Sequence, residues 1–320
     1  MAIVGIDAVT YGVRDMEKGR RFYEDFGLKK LNGGKNGAVF EAQDGSQIVL
    51  RPMKAKDLPK PFQSGPGVRE VTWGVSTRAD LRRIATELAK DRAVTEDKDG
   101  TLHSVDEAGV PVAFRLTKRR KLKNAGRTDI NAPQAPGRID KRATYYDRAR
   151  PLTVGHIVFT VPDVKKQQAF YTKRLGFVVS DHYTGRGVFL RVAPRAGHHS
   201  VFFLEDEAGR TQINHIGFGV RDLHEMFAGG LYFTGKGWKT AIGPGRHHVS
   251  SCYFWYFDNP SGGNSEYFCD EDFCTENWKP GHWNPAPETF AEWVLGKGLP
   301  RAKALPPTRT KQDVKSRKAA

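Results

Sequence analysis

Cysteine is scarce in this chain: Cys252, Cys269 and Cys274 are the only three among 320 residues. So few exclude a disulfide framework and fit a reducing compartment. No CxxC pair occurs, which argues against a zinc–thiolate site. The sequence also lacks any run of about 18 apolar residues, so no membrane-crossing helix is expected. Its first residues have no apolar core of the signal-peptide kind. These absences predict a cytoplasmic protein with no membrane partner.

Acidic residues are outnumbered, 36 Asp and Glu against 51 Lys and Arg, for a net charge of +15. A basic excess is one footprint of nucleic-acid binding, but its location argues otherwise. Residues 118–150 hold 11 basic and 3 acidic side chains, residues 297–320 hold 8 and 1, and the rest of the chain is balanced. Both segments are Pro-, Gly- and charge-rich with little periodicity ("NAGRTDINAPQAPGR", "ALPPTRTKQDVKSRKAA"). They read as linker and tail, and no nucleic-acid partner is expected.

What the sequence does contain is an internal repeat. "VTYGVRDMEKGRRFYEDFGLKKL" (9–31) and "IVFTVPDVKKQQAFYTKRLGFVVS" (157–180) share one plan. An alternating strand ends in Val, an Asp (Asp15, Asp163) caps a helix, the helix carries Phe-Tyr, and Gly27 or Gly176 closes it. Fainter copies begin at Glu70 and His215. The pattern predicts an α+β fold of four βαβββ modules, two per domain. The expected domains are 1–117 and 151–272, joined by the basic linker 118–150 and followed by an aromatic segment and basic tail, 273–320.

Each copy can be anchored on the Val that ends its first strand. Five residues back lie Ala8, Glu70, His156 and His215. The second half thus has His at both equivalent positions, which pseudo-symmetry should bring together between its two modules. Near the chain's end, "CYFWYFDNPSGGNSEYFC" reads as a hairpin with Glu266 inside its second strand. A carboxylate there is costly unless paired or metal-bound. Two imidazoles and one carboxylate on one side of a metal leave the opposite positions open, an arrangement suited to non-haem Fe(II) and dioxygen. His156, His215 and Glu266 are therefore the candidate ligands.

Residues 151–270 resemble the catalytic half of the type I extradiol ring-cleaving dioxygenases of the vicinal oxygen chelate superfamily. The matching pieces are "GHIVFTVPD", "AFYTKRLGF", "HHSVFF", "NHIGFGV", "GPGRH" and "YFDNPSGGNSEYF". The last two are the more specific and are similar to the homoprotocatechuate 2,3-dioxygenase branch. Residues 1–116 resemble the family's non-catalytic domain. The resemblance implies paired glyoxalase-like domains, bound Fe(II) or Mn(II), a catechol-type aromatic diol and O2 as substrates, a muconic semialdehyde-type product, and a homo-oligomer. It implies acid–base work for His199 and substrate-oxygen contacts for His247 and Tyr256.

Val158 and Ile242 stand where that branch has an Asn and an Arg, so homoprotocatechuate held in the same way is not the expected substrate. His248, Trp283 and Val158 are expected beside the substrate, with Lys279 or His282 reaching in from the aromatic segment 273–293. Strand alternation places one member of each pair, His198/His199 and His247/His248, on the cavity side. Two other readings stay open: a glyoxalase- or epimerase-type metal enzyme, and a metal-free sequestering protein.

Overall fold

The computed structural model describes residues 3–122 and 130–296; the basic tail 297–320 and residues 123–129 of the expected linker lie outside the described residues. The first half runs β1 (Ile3–Val13), α1 (Met16–Asp25), β2 (Lys29–Gly34), β3 (Gly37–Glu41), β4 (Gln47–Pro52), β5 (Gly67–Val75), α2 (Arg78–Leu88), β6 (Thr95–Glu96), β7 (Leu102–Val105) and β8 (Pro111–Leu116). The second half begins β9 (Thr153–Val161), α3 (Val164–Ala169), β10 (Val178–Tyr183), β11 (Gly187–Arg191), β12 (Ala196–Gly197) and β13 (Val201–Glu205). It continues β14 (Gln212–Gly219), α4 (Leu223–Gly235), β15 (Thr240–His247), β16 (Tyr253–Asp258) and β17 (Asn264–Cys269). Last come β18 (Phe273–Cys274), β19 (Gly281–Trp283), α5 (Pro287–Phe290) and β20 (Ala291–Val294). The class is α+β, with four strand–helix–strands units in series.

Each unit starts its helix in the same way. Asp15, Thr77, Asp163 and Asp222 stay extended, and their side chains accept the backbone N–H three residues on. This satisfies a donor that the first helical turn leaves unpaired. Gly27 follows α1 at φ +95°, and Gly176 follows the π-helical turn Phe170–Arg174 that extends α3 at φ +81°, a conformation that side chains with a Cβ resist.

The units pair through their first strands. β1 lies antiparallel to β5 in an eight-stranded sheet, and β9 lies antiparallel to β14 in the middle of a ten-stranded one. The two halves of the second sheet are therefore edge-joined and continuous, and no seam separates them. The last residues of the expected linker are ordered against α4: the Tyr146 hydroxyl donates to Asp222 Oδ2 at 3.0 Å, and the Arg150 amide donates to Glu225 Oε1 at 2.9 Å.

One apolar core runs through both halves. Phe26, just past α1, stacks on Tyr267 of β17 at 4.0 Å, and the Tyr267 hydroxyl donates to the Phe26 carbonyl at 2.7 Å. Burying an aromatic ring of this kind contributes about 1.5–3 kcal/mol. Alternation along β17 then sends the neighbouring Glu266 to the opposite face of the sheet. The chain after β17 occupies both edges of that sheet, with β19 parallel to β10 and β20 antiparallel to β15.

Candidate metal centre

Strand register builds the site. His156 on β9 stands opposite Gly217 on β14, Gly217 is level with Glu266 on β17, and Glu266 faces Tyr256 on β16. In-register neighbours point to the same side of a sheet, so these four positions form one row. His215 lies two residues before Gly217 on the same face. The glycine leaves the room the row needs: a Cβ at Gly217 would lie 2.2 Å from His156 Cε1 and 2.3 Å from Nε2. The imidazole leans over the glycine until its Nε2 is 2.8 Å from Glu266 Oε2 and 3.3 Å from His215 Nε2. His215 Nε2 is 3.4 Å from the same carboxylate oxygen.

The donor set fits a divalent cation. One ligand atom from each of His156, His215 and Glu266 lies within 4.8 Å of the others, and all three residues are buried. Glu266 Oε1 is buried without a hydrogen-bond partner. His215 Nδ1 donates to Asn214 Oδ1 at 2.8 Å, which leaves the Nε2 lone pair toward the cluster, as a ligand needs. Burial holds His215 neutral, with its pKa lowered to about 3. Burial works against the charge on Glu266, but the His156, His247 and His215 imidazoles together outweigh it and keep the carboxyl well below its usual range. Two further groups, His156/His199/Glu271 and His247/Cys252/Glu266, share members with this one.

The cluster opens into a cavity of about 390 Å³, also lined by His199, His247 and Tyr256. His199 lies over His156, ring centroids 4.3 Å apart. Burial, and then the neighbouring His156, lower its pKa to about 4, so it is a neutral imidazole at neutral pH. His247 Nδ1 donates to the Phe290 carbonyl at 2.7 Å, so its Nε2 carries a lone pair. The Tyr256 hydroxyl donates to that nitrogen at 2.9 Å. The Tyr256 oxygen is thereby left as an acceptor toward the cavity.

The cavity wall is apolar. Phe189 and Phe202 stack at 3.8 Å, and Val158, Ile242 and Leu204 add to the lining. Arg186 also lines it and pairs with the exposed Glu207 at 2.8 Å.

The aromatic segment does cover this cavity, through Pro285, Ala286 and Phe290. The residues expected to reach inside lie elsewhere. Trp283 packs behind the wall and against His248, ring centroids 5.0 Å apart, and neither is among the lining residues. Lys279 is exposed, and His282 stacks on His182 at 4.8 Å because β19 pairs with β10 in that register.

Strand alternation also misplaces His198. Residues 198–200 are not in a strand but in the turn before β13. His198 is buried beside His199, the two Nδ1 atoms 3.2 Å apart, and its Nε2 bonds Asp181 Oδ2 at 2.7 Å. Reading by residue type also passed over Glu271, Gly217 and Asn214. Glu271 had a signal in the acidic run Asp270-Glu271-Asp272, just after β17.

In the first half the equivalent positions hold Ala8 and Glu70. Glu70 is taken up by His103, Nδ1 to Oε1 2.8 Å, and His103 Nε2 is 3.1 Å from Asp97. Bonding to Glu70 raises the His103 pKa to about 9, which makes this a charged pair at neutral pH.

The chain is similar to known proteins. Residues 153–266 match the family described as "Glyoxalase/Bleomycin resistance protein/Dioxygenase superfamily". Metapyrocatechase 2 of Cupriavidus necator is 28% identical over 125 residues, 39% of this chain and 38% of that protein's own length. The Mn(II)-bound glyoxalase of Novosphingobium aromaticivorans superposes with TM-score 0.73 at 23% identity, covering 97% of this chain and 99% of that one. Homoprotocatechuate 2,3-dioxygenase from Arthrobacter globiformis superposes with TM-score 0.67 at 18% identity, over 91% and 88%. At these identities the structural likenesses establish a shared fold. Residues 153–266 thus match the Glyoxalase/Bleomycin resistance protein/Dioxygenase superfamily, and this part of the chain resembles its extradiol catechol dioxygenases.

Proposed function

We propose that the second half of the chain holds one divalent metal, Fe(II), with Mn(II) able to replace it, at His156, His215 and Glu266, and that it cleaves an aromatic diol with O2 by the extradiol route. The observation that carries this reading is the in-register row, which with His215 beside it gathers two imidazoles and one carboxylate at the base of an apolar cavity, with His199, His247 and Tyr256 around them. The relative's name, metapyrocatechase, supports the diol. The metal would act as a Lewis acid and template, lowering the pKa of the diol's hydroxyls and holding both reactants side by side.

The remaining work falls to the chain's own side chains. Neutral His199 accepts a proton on the cavity side and returns it later, which general acid–base catalysis rewards when the group starts unprotonated. The Tyr256 oxygen accepts a hydrogen bond from a substrate hydroxyl, while His247 fixes the direction of its O–H. The apolar wall around Val158 and Ile242 suits a diol whose substituent is uncharged next to the ring.

A glyoxalase-type reaction is the second reading, favoured by the near-complete overlap with the Mn(II)-bound glyoxalase. Oxygen uptake separates the two. Protein purified anaerobically with Fe(II) or Mn(II) is expected to consume O2 and turn yellow with catechol or its 3- and 4-substituted derivatives. Metal-loaded protein that consumes no O2 with any such diol overturns the proposal.

A further inference from the structure

His199 is reached from two sides. It lines the candidate active-site cavity, and it also lines a second cleft of about 700 Å³. That cleft is bounded by Arg119, Arg195, Phe268, Asp270 and Glu271, none of which lines the first cavity. Glu271 is the group that joins cleft and histidine. Its Oε1 lies 3.1 Å from His199 Nδ1 and accepts the His199 backbone N–H at 3.3 Å.

The hydrogen-bond pattern around Nδ1 selects a tautomer. On one side is the Glu271 side chain, whose Oε1 accepts at 3.1 Å from Nδ1. On the other is His198 Nδ1, whose ring partner nitrogen donates to Asp181 Oδ2 at 2.7 Å, so that in the neutral ring Nδ1 also presents a lone pair. Two acceptors converge on one nitrogen, and the proton on His199 belongs there. Nε2 then carries the lone pair. A base on the cavity side needs it in that place.

We propose that Glu271 is a positioning residue for His199: from the second cleft it holds the proton on Nδ1 and turns the Nε2 lone pair toward the candidate substrate. The inference rests on the function proposed above and adds a residue that acts through His199 without touching substrate. Because Glu271 faces a cleft of its own, a small carboxylate entering by that route can take its place without competing with the diol.

Three measurements test this. In full-length protein loaded with diamagnetic Zn(II) and labelled with 15N-histidine, the wild type is expected to show His199 as the Nδ1–H tautomer. Glu271→Gln, which presents N–H groups in place of an oxygen, is expected to move the proton to Nε2. An unchanged tautomer overturns the proposal.

With active metal and a diol, Glu271→Gln is expected to lower kcat about 10²-fold, as for losing acid–base assistance, with KM within about two-fold. Wild-type kcat in that variant overturns it. In Glu271→Gly, formate but not formamide is expected to restore part of kcat, a rescue that mere loosening of the fold would not give; no rescue overturns it. If wild-type protein turns over no diol at all, the activity reading fails, while the tautomer comparison still decides the role of Glu271.

Discussion

Gly217 stands directly opposite His156 across the β9–β14 ladder, and the imidazole fills the space a side chain at Gly217 would take. The row from His156 to Tyr256 depends on that one missing Cβ. Gly217→Ala should push the His156 ring away from Glu266 and cost about 1–3 kcal/mol through overpacking. Metal content per chain and the melting temperature read the result. Full occupancy at an unchanged melting temperature would mean that the ring does not need this space.

Alanine at His156, His215 or Glu266 should abolish activity and most bound metal. Elemental analysis should find one equivalent in the wild type, because Ala8 and the Glu70–His103 pair leave no comparable donor set among the described residues of the first half. A His215→Ala protein that keeps its full equivalent would remove His215 from the ligand set.

His199→Asn should leave metal and diol binding nearly intact while turnover falls about 10²–10⁴-fold, since a proton-transfer group is lost but no ligand. Alternation along a strand would make His198→Asn silent. The 3.2 Å contact between the two rings predicts instead a smaller loss of its own. Single-turnover rates of the two variants rank them. A His198→Asn protein more impaired than His199→Asn would move the acid–base role one residue back.

The first half should carry a pH dependence of its own. His103 has its pKa raised to about 9 by the bond to Glu70, against about 6.5 when unfolded. A group raised in this way contributes stability that is fully present below about pH 6.5 and is lost as pH rises through about 9. The side chain is partly exposed, which keeps the contribution small. Thermal melts of wild type and His103→Gln should therefore diverge at pH 6 and converge by pH 10. A constant gap across that range would show that the pair is not titrating.

Much of the centre was legible because it sits on regular elements. His156, His215 and Glu266 lie within strands, where a period of two and a repeat spacing are enough to predict a shared face. The helix caps Asp15 and Asp163 follow from the same local rules. Legibility failed where the backbone left those elements. His198 and His199 precede β13, so alternation says nothing about them, and Glu271 follows a reversal at Asp270, where φ is +60°. Trp283 was misplaced for a different reason. Its position is set by pairing between β19 and β10, a contact across about 100 residues that no local pattern encodes.

The roof of the cavity is tied to the polar lining below it by a hydrogen bond. Phe290 lines the cavity from the covering segment, and its carbonyl holds the His247 Nδ1 proton. An outward displacement of that segment would break the bond and release the His247 tautomer, and with it the direction of the Tyr256 hydroxyl. On the function proposed above, covering the cavity and setting the group that receives the diol would then be one event.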